Sequence, residues 1–178
     1  MSSSEVSDIV FDIETTGLKS TEHRITCIGI KTKDKEIILL DQSEKKVLEM
    51  FWTFVRQTSC VRLVGFNSKS FDVPFLVARS ALHKVSVVDI RWCHIDLRKE
   101  LTGSPFEKGK LDDFAALVGM NKLLDGNGQK VDGKEAIVYW ETHQYEKLKK
   151  YLLEDIRITW ALLERLKHIG WITNNRRY

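Results

Sequence analysis

The sequence predicts an α/β fold with a mixed β-sheet, an antiparallel meander plus parallel strands, flanked by α-helices. Three short runs rich in Ile and Val follow one another closely near the N-terminus, and a helical segment separates the third run from a fourth. Strands joined by short turns pair antiparallel, whereas a helix between two strands indicates a parallel crossover. The rest of the chain carries mostly helical signals, which would supply the layers beside the sheet.

The first half of the chain is predicted to hold all four strands and one helix. The turn-forming segments TTG and KTKDK separate the first three strands. Ser43 is predicted to be the N-cap of a helix that continues to about Arg56. The predicted strands are Asp8 to Glu14, Ile25 to Lys31, Glu36 to Asp41 and Val61 to Phe66.

The second half is predicted to be helical, with one irregular segment. Asn121 to Gly133 is rich in Gly, Asn and Asp, which is typical of a mobile loop or a hairpin. The predicted helices are Val73 to Leu82, Ile95 to Leu101, Leu111 to Val118 and His143 to His168.

Length, composition and charge limit the kind of protein that this sequence can encode. A length of 178 residues is typical of one domain, and 43% apolar residues suffice for a sizeable core. A net charge of +3 permits nucleic-acid binding without indicating it. Cys27, Cys60 and Cys93 lack the paired spacing of a disulfide framework or a zinc site. The sequence shows neither a signal peptide nor a membrane-spanning apolar run, so a soluble intracellular protein is expected, cytoplasmic or, in a eukaryote, nuclear.

Acidic residues stand in apolar stretches, where an uncompensated carboxylate is costly. Asp12 and Glu14 are two apart in the first strand, so both leave the same sheet face, roughly 7 Å apart. Tyr151 and Asp155 are four apart in the last helix and share one helix face. Asp72 follows the fourth strand, near a predicted helix start, and would reach the same edge of the sheet.

Each of these residues also has a purely structural interpretation. A strand-end Asp before Thr-Thr-Gly is typical of a turn, and Asp72 alone is typical of an N-cap. Tyr151 and Asp155 alone would be interpreted as a structural hydrogen bond. Their combination favours a metal site, because carboxylates without His or Cys suit Mg²⁺ or Mn²⁺, and such sites commonly act on phosphates.

Three motifs carry a family resemblance: D-I-E in the first strand, N-S-K-S-F-D after the fourth, and Y-L-L-E-D in the last helix. They resemble the exonuclease motifs of the DEDD superfamily of 3′-to-5′ exonucleases. The Tyr-x-x-x-Asp spacing is similar to its tyrosine (DEDDy) branch, which includes polymerase proofreading and Werner-type exonuclease domains. In the histidine branch a His precedes the last Asp by five residues, where this chain has Lys150. The resemblance spans Ile9 to about Leu166.

The resemblance implies a ribonuclease H-like fold and a single exonuclease domain over residues 1–178, with a core at about 8–168. It also implies two divalent ions, Mg²⁺ or Mn²⁺, that activate water and help the 3′ oxygen leave. Asp12 would bridge the ions, Glu14 and Asp155 would bind the nucleophile-side ion, and Asp72 would bind the second mainly through water. Tyr151 would orient the attacking water, since a tyrosine with a reference pKa near 10 is mostly neutral at pH 7.

Substrate contacts follow from the same resemblance. Thr15, Thr16 and Gly17 would hold the terminal nucleotide, with backbone N–H groups of the two threonines as donors, and Leu18 would wedge against its base. Asn67 would hydrogen-bond nearby. Phe71 is interpreted first as a core anchor that positions Asp72 and second as a base-stacking residue.

The predicted function is a metal-dependent 3′-to-5′ exonuclease that releases nucleoside 5′-monophosphates from single-stranded or frayed ends, with DNA repair as one setting. A protein partner that supplies targeting or processivity is expected, because no polymerase or helicase domain is visible in the sequence. Two alternatives stay open: an endonuclease or junction resolvase with the same fold, and a catalytically silent nucleic-acid-binding module. The motifs do not distinguish DNA from RNA.

Overall fold

A five-stranded mixed sheet forms the centre of the molecule, with strand order β3-β2-β1-β4-β5. The computed structural model describes residues 7–58, 61–103, 109–121 and 132–173. β1 pairs antiparallel with β2 and β2 with β3, whereas β1 with β4 and β4 with β5 are parallel pairs. The predicted meander and crossover are therefore confirmed. The strands are β1 Ser7–Thr15, β2 Ile25–Lys31, β3 Glu36–Leu40, β4 Val61–Gly65 and β5 His94–Asp96.

Helices cover both faces of this sheet. On one face, Ile9, Phe11 and Ile13 of β1 pack against apolar side chains of α1 and α2. On the other face, Val10 packs in a second buried cluster with Ile156 and other side chains of α6. The helices are α1 Glu44–Gln57, α2 Asp72–His83, α3 Leu97–Thr102, α4 Leu111–Ala115, α5 Gly133–Glu141 and α6 Tyr145–His168. Among the described helices, none combines the length and apolar content needed to cross a bilayer.

The helix start predicted at Ser43 is confirmed. Its hydroxyl accepts a hydrogen bond from the backbone N–H of Lys46, and the last helical residue is Gln57. This cap satisfies one of the donors that the first turn leaves open.

In the second half, one predicted helix begins too early, and the helix α5 is absent from the prediction. Ile95 and Asp96 belong to β5, so the predicted helix Ile95 to Leu101 begins only at Leu97. Residues 122–131 of the predicted loop lie outside the described residues, but Gly133 already begins α5. Asp132 and Glu135 form a reciprocal capping box, which starts α5 although its first residue is a glycine. The last helix begins at Tyr145, two residues after the predicted start, and a 3₁₀ turn, Ala116–Val118, follows α4.

β1 and β4 pair over only part of their lengths. Their register runs from Ser7 opposite Val61 to Val10 opposite Val64, and β1 then continues to Thr15 beside β2 alone. The pairing of these two parallel strands therefore ends before β1 does, at the carboxyl ends where α/β proteins tend to bind ligands.

Candidate active site

β1 directs two carboxylates toward α6. Ile13 packs on the α1 and α2 face, so Asp12 and Glu14 leave the opposite face because side chains alternate along a strand. Across the ladder, Asp12 lies opposite Gly29 of β2. A Cβ at Gly29 would come within 2.9 Å of side-chain atoms of Ile156 in α6. The glycine therefore permits the close approach of α6 that brings a third carboxylate to this face.

That third carboxylate is Asp155. One carboxylate oxygen each from Asp12, Glu14 and Asp155 can be chosen so that all lie within 4.8 Å of one another. Glu14 and Asp155 are buried and Asp12 is half-buried. The structure thus brings together three of the four predicted ligands, which we call the acidic cluster. Closely spaced carboxylate oxygens are the donor set that Mg²⁺ and Mn²⁺ prefer, so the cluster fits a divalent cation.

Asp72 joins the acidic cluster from the other side of the sheet. It is the first residue of α2, one position later than an N-cap, and its Oδ1 accepts the backbone N–H of Ile13 at 3.2 Å. Its carboxyl group also hydrogen-bonds Asp12. Burial raises the pKa of Asp72 to about 7, against opposing hydrogen bonds from its own backbone, Ile13 and Asp12. Asp72 therefore bonds β1 beyond the end of its pairing with β4 and reaches the cluster through Asp12.

Tyr151 lies on the same face of α6 as Asp155, one turn earlier, and is buried. Burial raises the pKa of its hydroxyl above the usual range, and the negative charges of Asp155, Glu14 and Asp12 raise it further. The hydroxyl also hydrogen-bonds Asp155. Tyr151 is therefore a neutral group at pH 7 that donates or accepts hydrogen bonds without losing its proton.

The loop before α2 is fixed by Asp96, a residue whose role the sequence does not reveal. Asp96 is 1% exposed and accepts backbone N–H groups from Asn67 at 2.8 Å, Lys69 at 2.9 Å and Arg98 at 3.1 Å. Its bond to Arg98 caps α3, and its other two hold the turn that leads to Asp72. An Asp directly before a helical run is a signal for the cap alone. Asp96 therefore positions the turn that leads to Asp72 and is not itself part of the acidic cluster.

Removing this carboxylate has a predictable cost. Asp96→Ala leaves three backbone N–H groups without their acceptor, so we expect a loss of about 2–3 kcal/mol in the free energy of unfolding. Urea unfolding followed by circular dichroism measures this loss. Asp34→Ala, in the exposed turn between β2 and β3, is the control and should leave the midpoint unchanged. An unchanged midpoint in Asp96→Ala would contradict the positioning role.

Most of the predicted substrate contacts lie around the end of β1. Thr15 is buried, and the backbone N–H of Thr16 donates to the carbonyl of Arg24 at 2.9 Å, closing the loop. Gly17 packs against the ring of His23, and its carbonyl accepts the Thr15 hydroxyl at 2.8 Å. Leu18 is 83% exposed. The Thr16 N–H already donates to Arg24, so the prediction that it donates to the terminal nucleotide is wrong in this structure. Leu18 is exposed and accessible to a base.

Asn67 and Phe71 follow β4. Asn67 has a φ of 60°, a left-handed conformation that Asn tolerates, and its side-chain oxygen is buried without a hydrogen-bond partner among the described residues. Phe71 packs against the core on the α1 and α2 face, with its ring centroid 5.5 Å from that of Phe75. This contact favours the core-anchor interpretation of Phe71 over base stacking.

Comparison with known proteins places this fold. The family model RNase_H_2, of the RNase H superfamily, matches residues 9–167. The chain is also similar to the family B DNA polymerase of Pyrobaculum calidifontis, with a TM-score of 0.77 and 22% identity over 92% of this chain and 25% of that one. The predicted ribonuclease H-like fold is confirmed.

Three curated proteins are similar in sequence. An uncharacterized protein of Methanocaldococcus jannaschii is 36% identical over 92% of this chain and 97% of its own length. DNA polymerase 2 of Aeropyrum pernix is 27% identical over 91% of this chain, and a DNA polymerase of Archaeoglobus fulgidus is 24% identical over 91%. The chain spans only 23% of the length of each polymerase. Since the family model covers nearly the whole described sheet and α6, the chain belongs to the RNase H superfamily.

Proposed function

We propose that this protein is a metal-dependent 3′-to-5′ exonuclease. It hydrolyses the terminal phosphodiester bond at the 3′ end of DNA or RNA and releases nucleoside 5′-monophosphates. The observation that carries this proposal is the convergence of Asp12, Glu14 and Asp155 within 4.8 Å at the end of β1. Tyr151 and Asp72 adjoin the same cluster.

The acidic cluster is proposed to hold the cofactor. Two divalent cations, Mg²⁺ or Mn²⁺, held by Asp12, Glu14, Asp72 and Asp155, would supply activation of water and stabilisation of the leaving 3′ oxygen. Tyr151 keeps its proton, so its hydroxyl orients the attacking water through a hydrogen bond instead of acting as a base. Its contact with Asp155 fixes that hydroxyl within the cluster.

The comparisons support a substrate with a nucleic-acid end. Two similar sequences and one similar structure are DNA polymerases, and this chain corresponds to about a quarter of each. The three acidic motifs match the order found in the tyrosine branch of the DEDD exonucleases, which includes polymerase proofreading domains. Proofreading removes nucleotides from 3′ ends, and a polymerase or other partner would supply targeting or processivity.

Tyr151→Phe tests the role of the hydroxyl. We expect kcat to fall by roughly 100-fold, the scale set by loss of one positioned hydrogen-bond donor, while KM changes little. Tyr139→Phe removes a hydroxyl from α5, outside the acidic cluster, and should keep wild-type rates. A Tyr151→Phe variant with an unchanged kcat and a raised KM would contradict the water-positioning role.

The proposed activity is tested by digestion of end-labelled DNA and RNA oligonucleotides in Mg²⁺, Mn²⁺ or chelator. A 5′ label should yield a ladder of products that shorten one nucleotide at a time, and chelator should stop the reaction. A 3′ label should appear at once as a labelled mononucleotide. Internal cuts would identify an endonuclease instead, and no cleavage of any substrate would identify a catalytically silent module.

A further inference from the structure

A group of polar and aromatic side chains lies beside the acidic cluster and is not used in the proposed chemistry. The guanidinium carbon of Arg24 lies 5.2 Å from the centroid of the Trp140 ring. The Trp140 and Tyr145 ring centroids are 5.5 Å apart. We call this group the Arg24 shelf, and its members are Arg24, Gln42, Trp140, His143 and Tyr145.

The Arg24 shelf is continuous with the candidate active site. Arg24 pairs with Thr16 through two hydrogen bonds of its backbone. The Arg24 carbonyl accepts the Thr16 backbone N–H at 2.9 Å, and the Arg24 backbone N–H donates to the Thr16 hydroxyl at 3.1 Å. Trp140 packs on a small buried cluster that contains Tyr151. Through Thr16, two residues after Glu14, and through Trp140, the shelf adjoins the end of β1 and the face of the sheet that α6 covers.

Contacts within the protein hold the shelf in one arrangement. One amino group of Arg24 donates to the carbonyl of Gln42 at 2.7 Å. The Gln42 side-chain amide donates to the Tyr145 hydroxyl at 2.7 Å, and His143 Nδ1 lies 2.6 Å from the same hydroxyl. A guanidinium that is already held over an aromatic ring loses less side-chain entropy when it binds a ligand. The shelf is therefore pre-organised.

Arg24 also retains unused hydrogen-bonding capacity. A guanidinium carries five N–H donors, and the Gln42 carbonyl takes one of them. The Nε of Arg24 is buried, so a ligand would meet the terminal amino groups of this half-buried side chain. A phosphate oxygen is a strong acceptor for a guanidinium in this position. The chemistry of the shelf, a fixed cation among partly exposed aromatic rings, suits a nucleotide.

We propose that the Arg24 shelf binds the single strand that leads into the active site, next to the terminal nucleotide. Arg24 binds a backbone phosphate, and the rings of Trp140 and Tyr145 support a base by stacking. Sequence-tolerant binding of single strands combines positive charge with aromatic stacking in this way. The inference deepens the proposed exonuclease function and rests on it for the identity of the substrate.

Binding without turnover tests the shelf directly. The full chain is titrated, in chelator, against fluorescein-labelled octathymidylate and octauridylate, and the dissociation constant is read from anisotropy. Trp140→Leu is expected to weaken binding about 10-fold, because base stacking contributes about 1–3 kcal/mol per base. Arg24→Gln is expected to weaken binding and to lower the slope of log K against log salt by about 0.7, the value for one phosphate contact.

Two control variants separate a loss of binding from a loss of folding. Trp92→Leu removes a tryptophan that is 75% exposed and precedes β5 at the opposite sheet edge, so affinity should not change. Trp140→Phe keeps an aromatic ring on the shelf and should retain most of the affinity. That result would assign the weaker binding of Trp140→Leu to loss of the ring and not to a general loss of packing. Circular dichroism melting checks that each variant is folded.

A minimal substrate separates the shelf from the catalytic centre. The p-nitrophenyl ester of thymidine 5′-monophosphate carries no second nucleotide, so Arg24→Gln and Trp140→Leu should lose far less activity on this ester than on oligonucleotides. The proposed role of the shelf in strand binding would be contradicted if both folded shelf variants kept the wild-type affinity for oligonucleotides, or if the wild type did not bind them. If the wild type binds oligonucleotides through the shelf but hydrolyses neither substrate, the exonuclease function is wrong and the strand-binding role of the shelf is retained.

Discussion

Asp12→Asn is expected to lower the rate of phosphodiester hydrolysis by at least about 1,000-fold, because it removes a cation ligand whose electrostatic contribution is several kcal/mol. The replacement is isosteric, so the half-buried side chain keeps its volume. It also removes one of several converging negative charges, so the metal-free melting temperature should stay the same or rise. Initial rates of oligonucleotide digestion and thermal melting measure the two effects.

The matched control is Asp89→Asn. Asp89 is exposed and pairs with Arg91 before β5, away from the acidic cluster, and its replacement should leave the rate unchanged. Full activity of Asp12→Asn at saturating Mg²⁺ would contradict the assignment of the cluster as the catalytic centre. Loss of activity together with loss of folded structure would contradict the expectation that Asp12 serves chemistry and not stability.

Arg62→Met is expected to lower the free energy of unfolding by about 3–5 kcal/mol. Arg62 is 1% exposed, and its guanidinium binds Asp8 at 2.5 Å and 3.0 Å and the carbonyl of Thr173 at 2.7 Å. Its loss leaves the buried Asp8 carboxylate with Lys167, which lies 2.5 Å away, as its remaining ion-pair partner in the described structure. Urea unfolding measures the difference.

Two further variants make this second prediction specific. Asp8→Leu combined with Arg62→Met removes both charges and leaves Lys167 paired with Glu164. The double variant should recover much of the lost stability, because an apolar pair carries no desolvation cost. Arg91→Met breaks the exposed pair with Asp89 and should cause no measurable change. A midpoint in Arg62→Met equal to wild type would show that the buried pair does not stabilise the sheet.

The sequence predicts the pair Asp12 and Glu14 and the pair Tyr151 and Asp155 because the geometry within each pair is local, whereas the approach of α6 to β1 is a contact between distant segments. Residues two apart in a strand must share a face, and residues four apart in a helix must share a face, which fixes Asp12 with Glu14 and Tyr151 with Asp155. β1 and β2 are equally predictable, since alternating Ile and Val residues are bounded by turn-forming segments. Asp72 is predicted near the right helix start.

The parts that the sequence does not predict depend on contacts between distant segments. The carboxyl group of Asp72 accepts the N–H of Ile13, 59 residues away, so its local pattern indicates only a cap. β5 has three residues and is a strand because it pairs with β4, whereas its own sequence continues the helical pattern of α3. The start of α5 depends on the capping box around Gly133, which the glycine-rich composition before it obscures.

The Arg24 shelf illustrates the same limit. Gln42 and Tyr145 are 103 residues apart, and their hydrogen bond forms only after β3 and α6 reach the same edge of the sheet. Neither residue belongs to a motif. Arg24 follows a loop of ordinary polar residues and carries no sequence signal of its own.

Anomalous scattering from crystals soaked in Mn²⁺ tests most directly whether the acidic cluster holds the catalytic cations. The expected result is Mn²⁺ bound by carboxylate oxygens of Asp12, Glu14 and Asp155, with lower occupancy in crystals of Asp12→Asn. The contradicting result is a protein that hydrolyses oligonucleotides in Mn²⁺ while its crystals, soaked at the same concentration, bind Mn²⁺ elsewhere and show no anomalous peak at the cluster.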